Sequence, residues 1–199
     1  MSTETYYNQK ADEFYHRTVS VDMAHLYKEF LPYIPVGGTI LDAGCGSGRD
    51  AKFFQENGYK IVAMDSSIEM VKLSSQLIGK PTLHLSFEHL DMKDAFDGIW
   101  ANASLLHLPA SMLPQIFGRL CNALKPGGIL LMSYKYGDGE GIRSERFFNN
   151  QTENSIKKLI AQVPEFEEIK SWQSVDTRVT PDFWLNSLVR RKEPNVAEN

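Results

Sequence analysis

The chain of 199 residues has little cysteine: only Cys45 and Cys121, far apart and outside any CxxC or Cys/His grouping. Neither a disulfide framework nor a structural metal is indicated, and no metal ligands are assigned. Long apolar runs are missing too, since nowhere does the chain approach the roughly 18 uninterrupted apolar residues of a membrane span. The opening "MSTETYYNQKADEFYHRT" carries charges throughout and no apolar stretch of the secretory type, so the expectation is a cytoplasmic protein. Positive charge is not in excess either: 21 Lys and Arg stand against 25 Asp and Glu, a formal net charge of -4. Nothing in that balance concentrates the chain on a polyanion, which disfavours a nucleic-acid partner. The one basic cluster, "VRRK" at 189–192, is read as a solvated strand end. Repeats, low-complexity segments and inter-domain linkers are absent as well. An apolar fraction of 42% is enough for a sizeable core, and one domain over 1–199 is expected.

What is present alternates. Phe14, Tyr15, Met23, Leu26, Tyr27, Phe30 and Leu31 recur at roughly helical spacing until Pro32 and Pro35 stop the pattern. "TILDA" reads as a strand, "AKFFQENG" as a helix closed by Gly58, "YKIVAMD" as a strand and "SIEMVKLSSQL" as a helix. "PTLHLSF" and "FDGIWANA" follow as strands, "PASMLPQIFGRLCNAL" as a helix with Pro109 near its start, and "GGILLMSYKY" as a longer strand. Strands separated by helices need crossovers, so a parallel sheet with helices on both faces is expected. "GDGEGIRSERFFNNQ" is too rich in glycine and charge to be core and reads as a loop. "TENSIKKLIAQV" makes a last helix with a capping-box-like Thr152/Ser155 start. "FEEIKSWQSVD" and "DFWLNSLVRR" then form two strands, and the short polar connection containing Pro181 favours an antiparallel pair.

The chemistry lies in "TILDAGCGSGRDAKFF", residues 39–54. In an open α/β sheet the loop after the first strand faces the ligand. A dinucleotide fingerprint needs a third glycine where this chain has Arg49, and a Walker loop needs a GK[ST] that is absent. Asp42 stands just before the glycines, where a carboxylate repels phosphate and favours a cationic ligand. Asp65 ends the second strand, where a carboxylate can accept both hydroxyls of a ribose. Asp65 can equally cap the helix that follows, and the two roles can coexist.

"ILDAGCGSGRD" followed by "VAMDSSIEMV", with "FDGIWANASLLHLP" and "LKPGGILLMS" further on, resembles the class I methyltransferases that use S-adenosyl-L-methionine. The resemblance runs from about 37 to 136. It implies a three-layer α/β/α Rossmann-like sheet of seven strands in the order 3-2-1-4-5-7-6, strand 7 antiparallel, with an N-terminal helical lid. It divides the domain into N-terminal helices (1–35), a cofactor-binding core (37–136) and a substrate-side loop, helix and strand pair (137–199). Ala43, Gly44, Cys45 and Gly46 would lie under the methionine part of the cofactor, with Asp42 holding its amino group directly or through water. Asp65 would bind the ribose, Ser66 and Met70 would flank the adenine, and Ala101 would pass close to the methionine end. Met70 at helical spacing reads equally as core. Many relatives have an aspartate at the adenine amino group where this chain has Ser86; either Ser86 and the Phe87 backbone substitute for it, or the adenine is held more loosely.

Methyl transfer from a sulfonium is an in-line displacement, so alignment and exclusion of water come first, and a base is needed only if the acceptor carries a proton. The resemblance therefore fixes no catalytic residue; His107 and Tyr134 are the candidates. His107 could deprotonate or position an acceptor, or cap and pack the helix starting near Pro109. Arg143 and Arg146 could clamp an oxyanion or belong to a solvated loop. Tyr7, Phe14, Tyr15 and Thr18 fall where many relatives carry the lid, with Tyr15 a candidate for touching substrate, and each aromatic is also a candidate for core. At branch level, "GCGSGRDAKFFQENGY" resembles the small tellurite-resistance-type methyltransferases. The expected function is methyl transfer to a small-molecule acceptor by a monomer or homodimer. Cofactor binding without turnover, or methylation of tRNA or protein, are the alternatives.

Overall fold

The computed structural model describes residues 2–175 and 182–194. At its centre is β1 (Thr39–Ala43), where Ile40, Leu41 and Ala43 are all fully buried. A strand without a polar face is what a parallel sheet covered on both sides requires. β1 pairs in parallel with β2 (Lys60–Asp65) on one side and β4 (Phe96–Ala101) on the other. β3 (Leu83–His84) lies outside β2, and β5 (Leu124–Lys135) lies outside β4. β9 (Phe183–Arg191) runs antiparallel to β5, and β8 (Phe166–Val175) antiparallel to β9. The order β3-β2-β1-β4-β5-β9-β8 is the expected seven-strand topology with the last pair renumbered.

The renumbering comes from a hairpin where the sequence reads as a loop. β6 (Glu140–Arg143) and β7 (Arg146–Asn149) pair antiparallel around Ser144 and Glu145, whose φ values of 46° and 65° make a two-residue primed turn. Such turns are ordinarily announced by Asn-Gly or Asp-Gly, and Ser-Glu gives no such signal. Ile142 near the tip is exposed while Asn149 at the base is buried, so the hairpin stands on the domain rather than within its core. Two other boundaries move. Only Leu83 and His84 of "PTLHLSF" form a strand, because the chain turns into a 3-10 segment at Phe87–His89. A 3-10 turn at Ala110–Met112 also separates Pro109 from the helix it was expected to start. The connection with Pro181 lies outside the described residues.

Helices cover both faces. α1 (Thr3–Gln9), α2 (Ala11–Thr18) and α3 (Ala24–Phe30) precede the sheet; α4 (Arg49–Glu56) and α5 (Ile68–Ile78) follow β1 and β2. α6 (Leu113–Ala123) and α7 (Glu153–Ile160) lie further on, and the capping box of Thr152 and Ser155 opens α7 as its sequence predicts. On one face Tyr27, Phe30 and Phe54 surround Trp100 of β4, at ring centroids 5.3, 5.3 and 5.2 Å away. On the other, Ile116, Phe117 and Leu120 of α6 and Ile156 of α7 join Ile99, Leu130 and Met132 in the larger core. Burying aromatic and aliphatic groups of this size is the main favourable contribution to folding, about 1.5–3 kcal/mol per side chain. No helix among the described residues is long and apolar enough to cross a membrane.

Candidate active site

The loop after β1 is held by β2 and by the segment after β4. The amides of Gly44 and Cys45 both donate to the Met64 carbonyl at 2.9 Å, and the Ser104 hydroxyl donates to the Ala43 carbonyl at 2.7 Å. Gly44 and Gly46 have φ of 76° and 52°. A Cβ on Gly44 would stand 2.5 Å from the Ser104 Cβ, and one on Gly46 would stand 3.2 Å from Cε1 of Phe14 in α2. Only glycine gives this backbone its curvature and lets both neighbours close on it.

Asp65 ties the loop to the next helix. Its Oδ2 accepts from the Gly46 amide and its Oδ1 from the Ser67 amide, both at 2.9 Å. The cap of α5 is Ser67, whose hydroxyl accepts from the Met70 amide and donates to Asn8 Oδ1. Asp65 therefore stands beside the cap rather than serving as it. Burial raises its pKa against the pull of these amides. Each carboxylate oxygen keeps a further lone pair, and the group lines a cavity of about 480 Å³, within the range of small-molecule sites.

Asp42 does not reach that cavity. It is 2% exposed, and its Oδ2 accepts from the Ala51 amide in the first turn of α4 at 3.0 Å. Burial and the adjacent Asp50 push its pKa up. Asp50, absent from the sequence-level candidates, is the centre of the local electrostatics. Arg49 donates to both its oxygens, at 2.7 and 2.8 Å, while Tyr27 and Trp100 add bonds of 2.6 and 2.8 Å. Although burial opposes its charge, the guanidinium and these donors hold its pKa below the usual carboxylate range. Cys45 lines the cavity, and burial pushes its thiol pKa up.

Of the remaining expected cofactor residues, Ser66, Met70, Ser86 and Phe87 line the β2–β3 end of the cavity. The Ser86 hydroxyl lies 2.8 Å from His89 Nδ1. Ala43 and Ala101 are fully buried behind the wall, and the residues after Ala101 line it instead: Asn102, Ala103 and Ser104.

The acceptor-side candidates divide. His107 lines the cavity, and its Nδ1 lies 2.7 Å from the Phe147 carbonyl. A carbonyl only accepts, so Nδ1 carries the proton and Nε2 receives the Tyr7 hydroxyl at 2.8 Å. Burial, helped by the charge of Arg146, depresses the His107 pKa to about 4 and keeps the ring neutral. Arg146 packs over the rings of Tyr6 and Phe148, at 4.9 and 5.0 Å, and donates to the Tyr7 hydroxyl at 3.3 Å. Arg143 bonds Asn150 and stacks on Phe148. Neither guanidinium is part of the cavity wall, so of the two readings the sequence leaves open the oxyanion clamp is not formed. Tyr134 is fully buried, away from the wall, and its hydroxyl has no partner. Tyr15 sits edge-on to His16 outside the wall, whereas Tyr7, Phe14 and Thr18 line it.

The sequence reading also missed a polar row across the strand ends. Asn102 reaches Asp50 at 3.4 Å, and the Ser133 hydroxyl donates to Asn102 Oδ1 at 2.7 Å. Asn186 continues the row on β9, opposite Ser133. No motif marks these residues; their signal is a polar residue inside an otherwise apolar strand, as Ser133 in "ILLMSY" and Asn186 in "FWLNSLV" show.

Comparison with known proteins agrees with this geometry. Residues 15–173 match the family model described as Methyltransferase domain. The chain is 33% identical over 97 residues to the malonyl-[acyl-carrier protein] O-methyltransferase of Buchnera aphidicola, covering 48% of this chain and 38% of that protein. It is 29% identical over 187 residues to phosphoethanolamine N-methyltransferase 2 of Caenorhabditis elegans, covering 87% of this chain and 41% of the relative. It thus spans about two fifths of the length of these curated relatives. Among solved structures, the fold is shared with the 1,6-didemethyltoxoflavin-N1-methyltransferase of Burkholderia thailandensis, crystallised with 1,6-didemethyltoxoflavin and S-adenosylhomocysteine. That match has a TM-score of 0.71 at 24% identity, covering 96% of this chain and 84% of the other.

Proposed function

The chain belongs to the family of methyltransferase domains, and from that premise we propose that it moves a methyl group from S-adenosylmethionine to a small-molecule acceptor. The observation that carries the cofactor assignment is Asp65: a carboxylate fixed by the Gly46 and Ser67 amides, in the cavity wall, with acceptor capacity left over. Such a group suits the two hydroxyls of a ribose and opposes a phosphate. Gly44, Cys45 and Gly46 would hold the methionine end against the close backbone. Met70 and Phe87 would pack on the adenine, with Ser66 beside it and the Ser86 hydroxyl at its amino group. Asp42 supports the reading indirectly, by fixing the first turn of α4 behind the loop.

When bound, the cofactor supplies an activated methyl on a sulfonium. The protein's task is to align the acceptor with the methyl and to keep water and other competing nucleophiles away from it. Phe14 and Tyr7 would close over the cofactor. His107, neutral and receiving the Tyr7 proton, would position the lid and the acceptor; its low pKa makes it a weak base. The test is transfer of isotope-labelled methyl from S-adenosylmethionine into a cell metabolite extract. Labelled small molecules are expected. Label only in tRNA or protein, or cofactor binding with no label transferred, would replace the proposal with one of those alternatives.

A further inference from the structure

The strand order sets the direction of the cavity. Asp65 and the β2–β3 residues lie on one side of β1, while β4, β5 and β9 lie on the other. With neighbouring strands about 4.8 Å apart, β9 stands roughly 14 Å from β1, beyond the methyl-bearing end of a cofactor seated over β1 and β2. This side carries the end of the polar row. Asn186 is 1% exposed, lines the cavity, and donates through Nδ2 to the Ser174 hydroxyl at 2.9 Å and the Trp172 carbonyl at 3.4 Å. Those two bonds fix the amide's orientation, because a flipped amide would set its oxygen against the Trp172 carbonyl. Its Oδ1 is left buried without a partner.

Buried amide oxygens are nearly always paired, and leaving one unpaired is costly. Ser133, the residue opposite on β5, cannot supply the donor. Ser133 gives its proton to Asn102, and its oxygen receives the Ala103 amide at 2.8 Å. A molecule that enters this end of the cavity with an N–H finds in Oδ1 a buried acceptor already fixed in place. The wall's charges as a whole point the same way: among the described lining residues Glu4, Asp22, Asp50, Asp65 and Glu88 are acidic, and the one Arg, Arg49, is bonded to Asp50. An anion entering the cavity would meet a field of its own sign.

We propose that Asn186 is a specificity-determining residue whose Oδ1 accepts an N–H from the methyl acceptor, and that the acceptor class is amine-bearing small molecules rather than carboxylates or oxyanions. The inference rests on the methyltransferase reading for which substrate fills the site, and on Asn186 for its chemistry.

The test uses the full chain with S-adenosylhomocysteine titrated first and read separately. Phenethylamine and tryptamine are then titrated against 3-phenylpropionate and indole-3-propionate, which keep the ring and replace the ammonium by a carboxylate. The amines are also titrated without S-adenosylhomocysteine. The amines are expected to bind and the carboxylates not to. Asn186→Leu should weaken amine binding tenfold or more, with S-adenosylhomocysteine affinity unchanged, while Ser174→Ala, which removes one partner of the NH2 and leaves Oδ1 in place, should keep amine binding within threefold. Carboxylates binding as well as amines, no amine binding at all, or Asn186→Leu behaving as the natural chain would overturn the proposal. Loss in Ser174→Ala equal to that in Asn186→Leu would do so too, because it would assign Asn186 a structural role through its NH2. A chain that binds amines through Asn186 but not S-adenosylhomocysteine overturns the cofactor reading and leaves this one standing.

Discussion

The two sides of the cavity are built differently. On the β1–β2 side, backbone amides are held by carboxylates of the same β-α-β stretch: Gly46 and Ser67 donate to Asp65, and Ala51 donates to Asp42. On the lid side they join distant segments through side chains. Tyr7 meets His107, Arg146 meets Tyr6 and Tyr7, and the Phe147 amide donates to Thr3 Oγ1 at 3.1 Å. A cofactor common to a whole family can be gripped by main-chain groups that tolerate changes in side chains. If the N-terminal helices act as the proposed lid, a few side-chain contacts of modest strength would let them separate without unfolding the sheet.

That contrast can be broken at its rigid side first. Asp50→Ala would strand Arg49 in the core and remove the partners of Tyr27 and Trp100, at a cost of about 3–5 kcal/mol. Urea unfolding should show the loss; a midpoint near that of the natural chain would mean that the network under the loop contributes little. Asp65→Ala should weaken S-adenosylhomocysteine binding by about 1.5–3 kcal/mol, the range for hydrogen bonds to a charged group. Calorimetry measures it, with a change under threefold arguing against ribose recognition.

His107 probes the lid side through pH. Its native pKa of about 4 lies below the unfolded value near 6.5, so the unfolded chain binds the extra proton first. The stability of the folded state is therefore fully present above pH 6.5 and declines as pH falls toward 4. With its ring only partly shielded from solvent, the loss should be about 2 kcal/mol. His107→Gln should flatten the dependence by that amount in denaturation curves at pH 7 and 4.5. Parallel curves for the two proteins would remove His107 from the account. Arg146→Ala should have the smallest effect, about 1 kcal/mol of lost cation–π contact. It should appear as faster amide exchange in α1 while β1 and β2 stay protected; uniform change across the sheet would erase the distinction between the two sides.

The same difference explains what could be read from the sequence. The strand order was legible because it follows from alternating elements, and the glycine loop and Asp65 fall in the cavity wall because each ends or follows a strand of that sheet. Asp50 was not, since its carboxylate gathers Arg49, Tyr27 and Trp100 from three elements and only the fold brings them together. Arg143 and Arg146 had the right chemistry for an anion site in the right loop. The primed turn at Ser144 and Glu145 folds that loop into a hairpin and lays both guanidinium groups on Phe148. Tyr134 was placed correctly near the end of β5, but strand alternation turns it into the core.

The central claim is that the loop after β1 and Asp65 together bind S-adenosylmethionine. Isothermal titration of the full chain with S-adenosylmethionine, alongside Asp65→Ala, tests it most directly. The account predicts saturable binding at one site per chain that the substitution weakens tenfold or more; absence of saturable binding in the natural chain would contradict it.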